Sequence, residues 1–454
     1  MASVPMQSPW RRAMSSGGSL VAITIVASNI LRIASTIILT RVLSPVDFGV
    51  TGFSGAVLNI LLMMSDVGFG VYIIRHARGG DARLLDIVWT VRLVRGAVLT
   101  LALAACSGPL TLLLGKPELQ LAIAVTGVQF VLDGCSSLAV FTAIRDEKLF
   151  MLSLLDIVSA ITQTVAGVAL ALWLHSYWAI IVAGLIGTGL KSWLSYTLFP
   201  GAARRFAWDR AEVAELWRFG RTIAGAHTIQ VLLSNVDKIA LSRIFPLSLF
   251  GLYSLAFNLS GAASGFTNLY PSRILLPAFA RAYRDDPIDL AQTYYGTRRR
   301  LMVLYAVAMG GFIAMAPAVV DLLYDPRYRA AATYLQWLAL APAIAMNNYA
   351  AREVLIVVGR VQSLLYANLV RLVWLALAGT AGFMAWGPIG LVAAVGCIEM
   401  PVQVYCWHEL RRAGLLRIGQ EVLILAGLVL GVVLGMAGNR VYFMLAAVWR
   451  VHSG

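Results

Sequence analysis

Thr40-Arg41-Val42-Leu43-Ser44-Pro45-Val46-Asp47-Phe48-Gly49 recurs, 202 residues further on, as Ser242-Arg243-Ile244-Phe245-Pro246-Leu247-Ser248-Leu249-Phe250-Gly251. The Arg and the Phe-Gly align without a gap, and each copy lies between two long apolar segments. Such a repeat, spaced by an even number of membrane crossings, marks a duplicated bundle whose two copies run in the same direction. The chain has 454 residues, of which 59% are hydrophobic and only 13% charged, more apolar surface than a water-soluble core can hide. Its solvent is largely lipid.

Apolar stretches long enough to cross ~30 Å of hydrocarbon at ~1.5 Å per residue recur throughout. They predict spans at 17–40, 48–71, 86–114, 119–143, 151–174 and 177–199, then at 216–241, 249–273, 299–323, 330–351, 363–386 and 388–408. A further span is expected at 419–437, and the apolar tail 441–449 is too short to cross alone, so the count is 12, 13 or 14. The expected fold is an all-α polytopic membrane protein: two six-helix bundles related by a pseudo-twofold repeat, plus one or two C-terminal helices. The boundaries that follow are a cytoplasmic segment 1–16, a bundle 17–199, a cytoplasmic linker 200–215, a bundle 216–410 and a C-terminal span with tail 411–454. No cleavable leader is expected, because Arg11 and Arg12 precede a long span with no short apolar core and cleavage site. Cys106, Cys135, Cys397 and Cys406 all fall in expected spans, where thiols behave as small hydrophobes, so no disulfide is expected.

The net charge of +14 is distributed by side rather than gathered into a nucleic-acid patch. Counting loops from a cytoplasmic N-terminus, the inside loops hold Arg75, Arg78, Arg83, Arg145, Lys148, Arg204, Arg205 and the Arg298-Arg299-Arg300 run among many others. The outside loops hold Arg41, Lys116, Arg243, Arg327, Arg329 and Arg440. This bias fixes a cytoplasmic N-terminus, and anionic membrane lipids are the expected partners of the surface clusters.

Ionisable residues inside spans are expensive and therefore informative. In the first span Thr24, Ser28, Asn29, Arg32, Ser35, Thr36 and Thr40 share one helical face; in the seventh, His227, Gln230, Ser234, Asp237, Lys238 and Ser242 do the same. The repeat offset superposes the stripes, taking Ser28 to Gln230, Arg32 to Ser234, Ser35 to Asp237 and Thr36 to Lys238. Both are expected to line one central cavity, although hydroxyls alone also serve as helix glue. Further charges are Arg92 and Arg95, Asp133, Asp156, Lys191, Arg221, Arg371 and Glu399. Cations outnumber acids, and a guanidinium-lined site suits a diphosphate. Snorkelling to headgroups is the competing reading for Arg92, Arg95, Lys191 and Arg221. The candidate substrate contacts are Arg32, Lys238, Arg371, Arg95, Arg221, His227 and Gln230. The acids available to carry a coupling ion are Asp237, Asp66, Asp156 and Glu399. The eleven-residue spacing of Arg145 to Asp156 and of Arg360 to Arg371 predicts that Asp156 and Arg371 occupy related heights and are able to pair.

Several motifs carry a specific likeness: R-x-L-S-P-x-D-F-G from Arg41 to Gly49, Asp66-Val67-Gly68-Phe69-Gly70, Trp89-Thr90-x-Arg92-x-x-Arg95-Gly96, and Phe250-Gly251-Leu252-Tyr253-Ser254-Leu255-Ala256. Pro271 through Pro277 to Arg281, and Leu323-Tyr324-Asp325-x-Arg327-Tyr328, extend it. In order and spacing, from about residue 17 to 410, the chain resembles the bacterial oligosaccharide flippases of the Wzx type. The resemblance implies an inner-membrane member of the multidrug/oligosaccharidyl-lipid/polysaccharide superfamily. It implies movement of undecaprenyl-diphosphate-linked oligosaccharide repeat units from the cytoplasmic to the periplasmic leaflet for surface polysaccharide (exopolysaccharide or lipopolysaccharide) synthesis, by alternating access, with polysaccharide polymerase and chain-length proteins as further partners. Some members carry two complete extra spans, whereas here the fourteenth is expected to be truncated or absent.

A drug or cation antiporter of the same superfamily, which needs an acidic cavity, and a membrane enzyme or scaffold of polysaccharide export are the alternatives. Enzyme chemistry finds little support. Gly184 to Ser192 fails as a phosphate loop because Leu190 separates Gly189 from Lys191, and His76, His175, His227, His408 and His452 lack metal-ligand spacing. No catalytic residue, metal or cofactor is expected.

Overall fold

The computed structural model describes residues 18–453, apart from 77, 147, 200, 202, 263–266, 268–269 and 287–289. The described residues contain helices and no strands. They divide into two compact units, Met1–Arg243 and Ile244–Gly454. The helix at 210–244, which the repeat assigns to the second bundle, groups with the first unit.

In the first unit the helices are α1 (Gly18–Val42), α2 (Pro45–Ser65), α3 (Phe69–Arg75), α4 (Ala82–Leu114), α5 (Gln120–Thr126), α6 (Val128–Gly134), α7 (Ala139–Arg145), α8 (Leu149–Leu174), α9 (Trp178–Thr197) and α10 (Arg210–Ile244). The repeated motif is a helix start. Ser44 caps α2 in a capping box: the Asp47 N–H donates to Ser44 Oγ at 3.3 Å, and the Ser44 N–H donates back to Asp47 Oδ2 at 2.9 Å. Pro45 fills the first helical position, where no amide donor is needed. The other Asp47 oxygen accepts the Tyr177 N–H at 2.9 Å, which pins the turn between α8 and α9 to the start of α2. Gly68, at φ 71°, breaks α2 from α3 with its N–H held by Asp66 Oδ1 at 2.9 Å. Gly96 lets α4 cross α6 at the Phe130 carbonyl, closer than any Cβ allows.

The second unit contains α11 (Leu247–Gly261), α12 (Leu276–Asp285), α13 (Leu290–Ala314), α14 (Ala316–Leu323), α15 (Ala331–Leu338), α16 (Leu340–Val357), α17 (Gln362–Trp386), α18 (Pro388–Gly396), α19 (Glu399–Arg412) and α20 (Ile418–Ser453). The second motif copy starts α11 with Pro246 at the cap and no side-chain cap bond, so the capping box is not repeated, while the Phe-Gly is buried in both copies. The core gathers Phe279, Tyr294, Met302, Leu355, Cys406 and Leu410.

Among the described residues seven helical stretches are long and apolar enough to cross a membrane, and nine if two bent pairs, broken by 57° and 66°, each count as one. The chain is thus a multi-pass all-α membrane protein. Helices also stand at the remaining expected spans, but α11 is short and α1 and α10 carry more polar faces. The expected thirteenth span and its tail are one helix: α20 runs 36 residues without a break. It packs parallel to α13, with Gly427 against Val303, Gly431 against Val307 and Gly435 against Gly311. Glycines four apart bring the two backbones into contact, the means by which helices associate in lipid.

Candidate functional site

In the first unit the Trp89-to-Gly96 motif places two guanidiniums on one carboxylate. Arg92 Nη2 lies 2.9 Å from Asp133 Oδ1 and Arg95 Nη2 3.9 Å from Asp133 Oδ2. Arg95 Nη1 also donates to the Ser65 carbonyl at 3.0 Å, at the C-terminal end of α2, where a cation meets the negative end of the helix dipole. Phe141 and Phe69 lie under the two guanidiniums, 5.6 and 5.2 Å from ring centre to Cζ. Arg95 Nε is buried and has no hydrogen-bond partner among the described residues. Two guanidiniums thus share the Asp133 carboxylate, Asp66 also attracts Arg95, and one buried Arg95 donor is left to spare.

On α10 the buried Asp237 lies 3.8 Å from Lys238 Nζ, and Lys238 and Ser242 border a largely apolar cavity of about 370 Å³ walled by Phe53, Ile60, Leu99 and Leu103. The remaining sequence candidates of this unit are scattered. Arg32 is exposed, its Nη2 3.0 Å from Asn29 Oδ1. Arg221 is exposed, and the side chains of His227 and Gln230 lie outside the described residues. Asp66 serves the Gly68 turn. Asp156 is half-exposed and takes Lys191 Nζ at 2.7 Å.

The second unit holds two adjoining polar clusters. Arg371 grips Glu399 with two parallel bonds, Nε to Oε1 at 2.9 Å and Nη2 to Oε2 at 3.0 Å. Its Nη1 donates to Asn368 Oδ1 at 2.8 Å, and Asn348 Nδ2 donates to Glu399 Oε2 at 2.8 Å. Arg371 and Asp156, expected to pair with one another, each have an ion-pair partner within their own unit.

The neighbouring residue Asn347 belongs to the second cluster. Arg298 donates to Asn347 Oδ1 and to Glu421 Oε1; Asn347 Nδ2 donates to Glu421 Oε2 at 2.7 Å and to Gln403 Oε1 at 2.9 Å; Trp407 Nε1 donates to Glu421 Oε2 at 3.0 Å. The Arg298 Cζ sits 3.9 Å from the centre of the Tyr294 ring. Sequence reasoning missed this cluster and assigned Arg298 to a surface run at anionic headgroups. The structure corrects that: Arg298 shares the helical face of Met302 and Ala306, all buried, whereas Arg299 and Arg300 point outward. The one available signal was the period of three and four linking Arg298 to that apolar face. Nothing local marks Glu421 as its partner, 123 residues away. No group of three or more potential metal ligands exists among the described residues.

A family model described as polysaccharide biosynthesis protein matches residues 38–333. Among curated proteins, the chain is 23% identical over 333 residues to the lipopolysaccharide biosynthesis protein WzxC of Escherichia coli (strain K12), a match covering 72% of this chain and 66% of that one, just under two thirds. It is 23% identical to the succinoglycan biosynthesis transport protein ExoT of Rhizobium meliloti (strain 1021), covering 79% and 71%. Among solved structures, the lipid II flippase MurJ in an inward closed conformation superposes with a TM-score of 0.69 over 94% of this chain and 98% of that one, at 12% identity, a likeness of fold.

Proposed function

The chain belongs to the polysaccharide biosynthesis protein family, and from that premise we propose that it is a flippase for lipid-linked oligosaccharides. It carries undecaprenyl-diphosphate-linked repeat units from the cytoplasmic to the periplasmic leaflet of the bacterial inner membrane, by alternating access. The names of the relatives, a lipopolysaccharide biosynthesis protein and a succinoglycan transport protein, support this substrate class. The excess of cations on the inside loops supports a cytoplasmic N-terminus. The protein acts as a transporter and leaves its substrate covalently unchanged, handing it to a polysaccharide polymerase and chain-length partners.

The observation that carries the reading is the pairing of Arg92 and Arg95 on the Asp133 carboxylate with the Arg95 Nε left buried and unmet. Within a membrane span a guanidinium with a buried, unpartnered Nε is costly unless an acceptor completes it, and a diphosphate supplies the missing oxygens. Arg32 and Lys238, with Arg221, His227 and Gln230, are the further contacts we assign to the substrate. Arg371 differs, because Glu399 already neutralises it. It takes up phosphate only by exchanging that carboxylate, which makes Glu399, alongside Asp237, a candidate for ion coupling, with Asp66 and Asp156 held in other bonds.

The test is a vesicle assay with a fluorescent lipid-linked oligosaccharide, scored by access from the outer leaflet. The reconstituted chain is expected to equilibrate the label between leaflets and to return it chemically intact. Arg95→Ala is expected to lose transfer and Arg95→Lys to keep part of it. Covalent change of the substrate, or full transfer by Arg95→Ala, would overturn the reading.

A further inference from the structure

The helices α17 and α19 form a groove that the transport reading does not use. Along α17, Tyr366, Leu369, Val373 and Leu377 recur every three or four residues and are 49%, 44%, 55% and 68% exposed. They form one wall of a cavity of about 690 Å³ whose opposite wall is Pro401 and Tyr405 of α19, and no charged side chain lines it. The indole N–H of Trp374 is spent on the Ala394 carbonyl at 2.8 Å, so that ring too offers only apolar surface. Both helices are long and apolar enough to cross a membrane when α18 and α19 are taken together. An exposed apolar face there meets hydrocarbon, and a concave one of this size seats a chain.

The end of the groove at Tyr366 and Tyr405 is strongly basic. Arg360 Nη1 lies 2.9 Å from Glu409 Oε2, its Nη2 donates to the Arg412 carbonyl at 3.0 Å, and Arg412 Nη1 is 3.5 Å from Glu409 Oε1. Glu409 is buried and already engaged by Arg360, whereas Arg411 and Arg412 are exposed. Two guanidiniums thus meet one carboxylate, and the exposed Arg411 adds a third cation at the same helix end. Tyr405 and Arg412 lie seven residues apart on one helical face, a rise of ~10 Å, so the basic cluster stands just beyond the end of the apolar trough.

We propose that the groove between α17 and α19 is a binding site for one anionic phospholipid, its acyl chain against Val373 and Leu377 and its phosphate at Arg411 and Arg412. Basic pockets at the ends of membrane helices recognise anionic headgroups in this way. A second copy of the chain is a poorer occupant: a twofold axis along the membrane normal would set each basic end against its own counterpart. A transported lipid is poorer too, because its phosphate needs cations along a path, whereas here they stand only at the helix end.

Native mass spectrometry of the full chain in neutral detergent, with equimolar phosphatidylglycerol, phosphatidylcholine and undecaprenyl phosphate, tests this. Phosphatidylglycerol is expected to stay bound in preference to both. Arg411→Gln with Arg412→Gln should lower its retention roughly tenfold or more, from the loss of about 1 kcal/mol per basic residue. Ala381→Trp, which puts an indole into the groove without touching a charge, should lower it as well, and Arg412→Lys should keep it. Equal retention of phosphatidylcholine, tighter retention of undecaprenyl phosphate, unchanged retention by Ala381→Trp, or a disulfide-linked dimer through Leu377→Cys that leaves no bound lipid would each overturn the proposal.

Discussion

Arg298 and Glu421 form an ion pair closed off from water, their side chains 0% and 1% exposed, between helices separated by most of the second unit's sequence. Removing one partner strands the other charge. Arg298→Met or Glu421→Leu alone is therefore expected to destabilise the protein by about 3–5 kcal/mol, whereas the two together should cost far less than the sum. Thermal unfolding of the four proteins in one detergent, assembled as a double-mutant cycle, measures the coupling.

Arg371 and Glu399 make a two-bond fork that an ammonium does not reproduce. Arg371→Lys is expected to weaken transport, with the loss of a charge-assisted bond worth about 1.5–3 kcal/mol. Arg371→Ala should abolish polymer export while the protein still reaches the membrane. Complementation of an export-deficient strain, with membrane levels checked by immunoblot, reads both.

Asp237 is the acid whose charge is tied to a neighbouring cation beside an apolar cavity. In vesicles carrying an imposed proton or sodium gradient, Asp237→Asn is expected to keep basal flipping and to lose gradient stimulation. Stimulation equal to that of the unaltered protein would remove Asp237 from the coupling site and leave Glu399.

At the start of α2 the two acceptor side chains are unequal. Ser44→Ala removes the bond from the Asp47 amide and the hydroxyl's bond to Asp47 Oδ2, and should cost about 1 kcal/mol. Asp47→Ala frees both the Ser44 amide and the Tyr177 amide and should cost at least twice as much, because two partly buried donors lose their acceptor. Unfolding temperatures of the two variants are expected in that order.

The glycine seam is graded in the same way. Gly431→Ala drives a methyl into the Val307 backbone and should cost about 1–3 kcal/mol, whereas Gly427→Ala meets its nearest neighbour at 3.3 Å and should be milder. Comparing the melting temperatures of the two alanine variants checks the register.

The helical layout was legible because apolar run length is a local property, whereas the start of α2 at Pro45, three residues before the expected span, is set by the Ser44–Asp47 capping box. The intramembrane charges were legible as a set, and Arg371 proved to be held in a buried bidentate pair. Their partners were not. Arg92 to Asp133, Arg371 to Glu399 and Arg298 to Glu421 join separate helices, and each choice is made by how the helices rotate about their axes. The Arg298 error shows this: three consecutive arginines look alike as composition, yet successive helical residues turn by ~100°, so one enters the core while two do not. The continuity of α20 was also hidden, since the polar Asn439 and Arg440 within it look like a loop. Asn439 instead accepts the Ala318 N–H at 3.1 Å, sealing the bend between α13 and α14.

The parallel packing of α13 and α20 carries a parity rule. Two neighbouring helices that traverse a bilayer in the same sense oblige the chain joining them to return an odd number of times, whatever the shape of the intervening turns. The C-terminal end of α20 must then leave the membrane on the face where α14 ends, and there the Tyr442 hydroxyl meets Asp321 Oδ2 at 3.2 Å. The side on which α20 leaves the bilayer is thus set by a row of missing side chains, Gly427, Gly431 and Gly435, together with the buried Arg298–Glu421 pair that joins the same two helices.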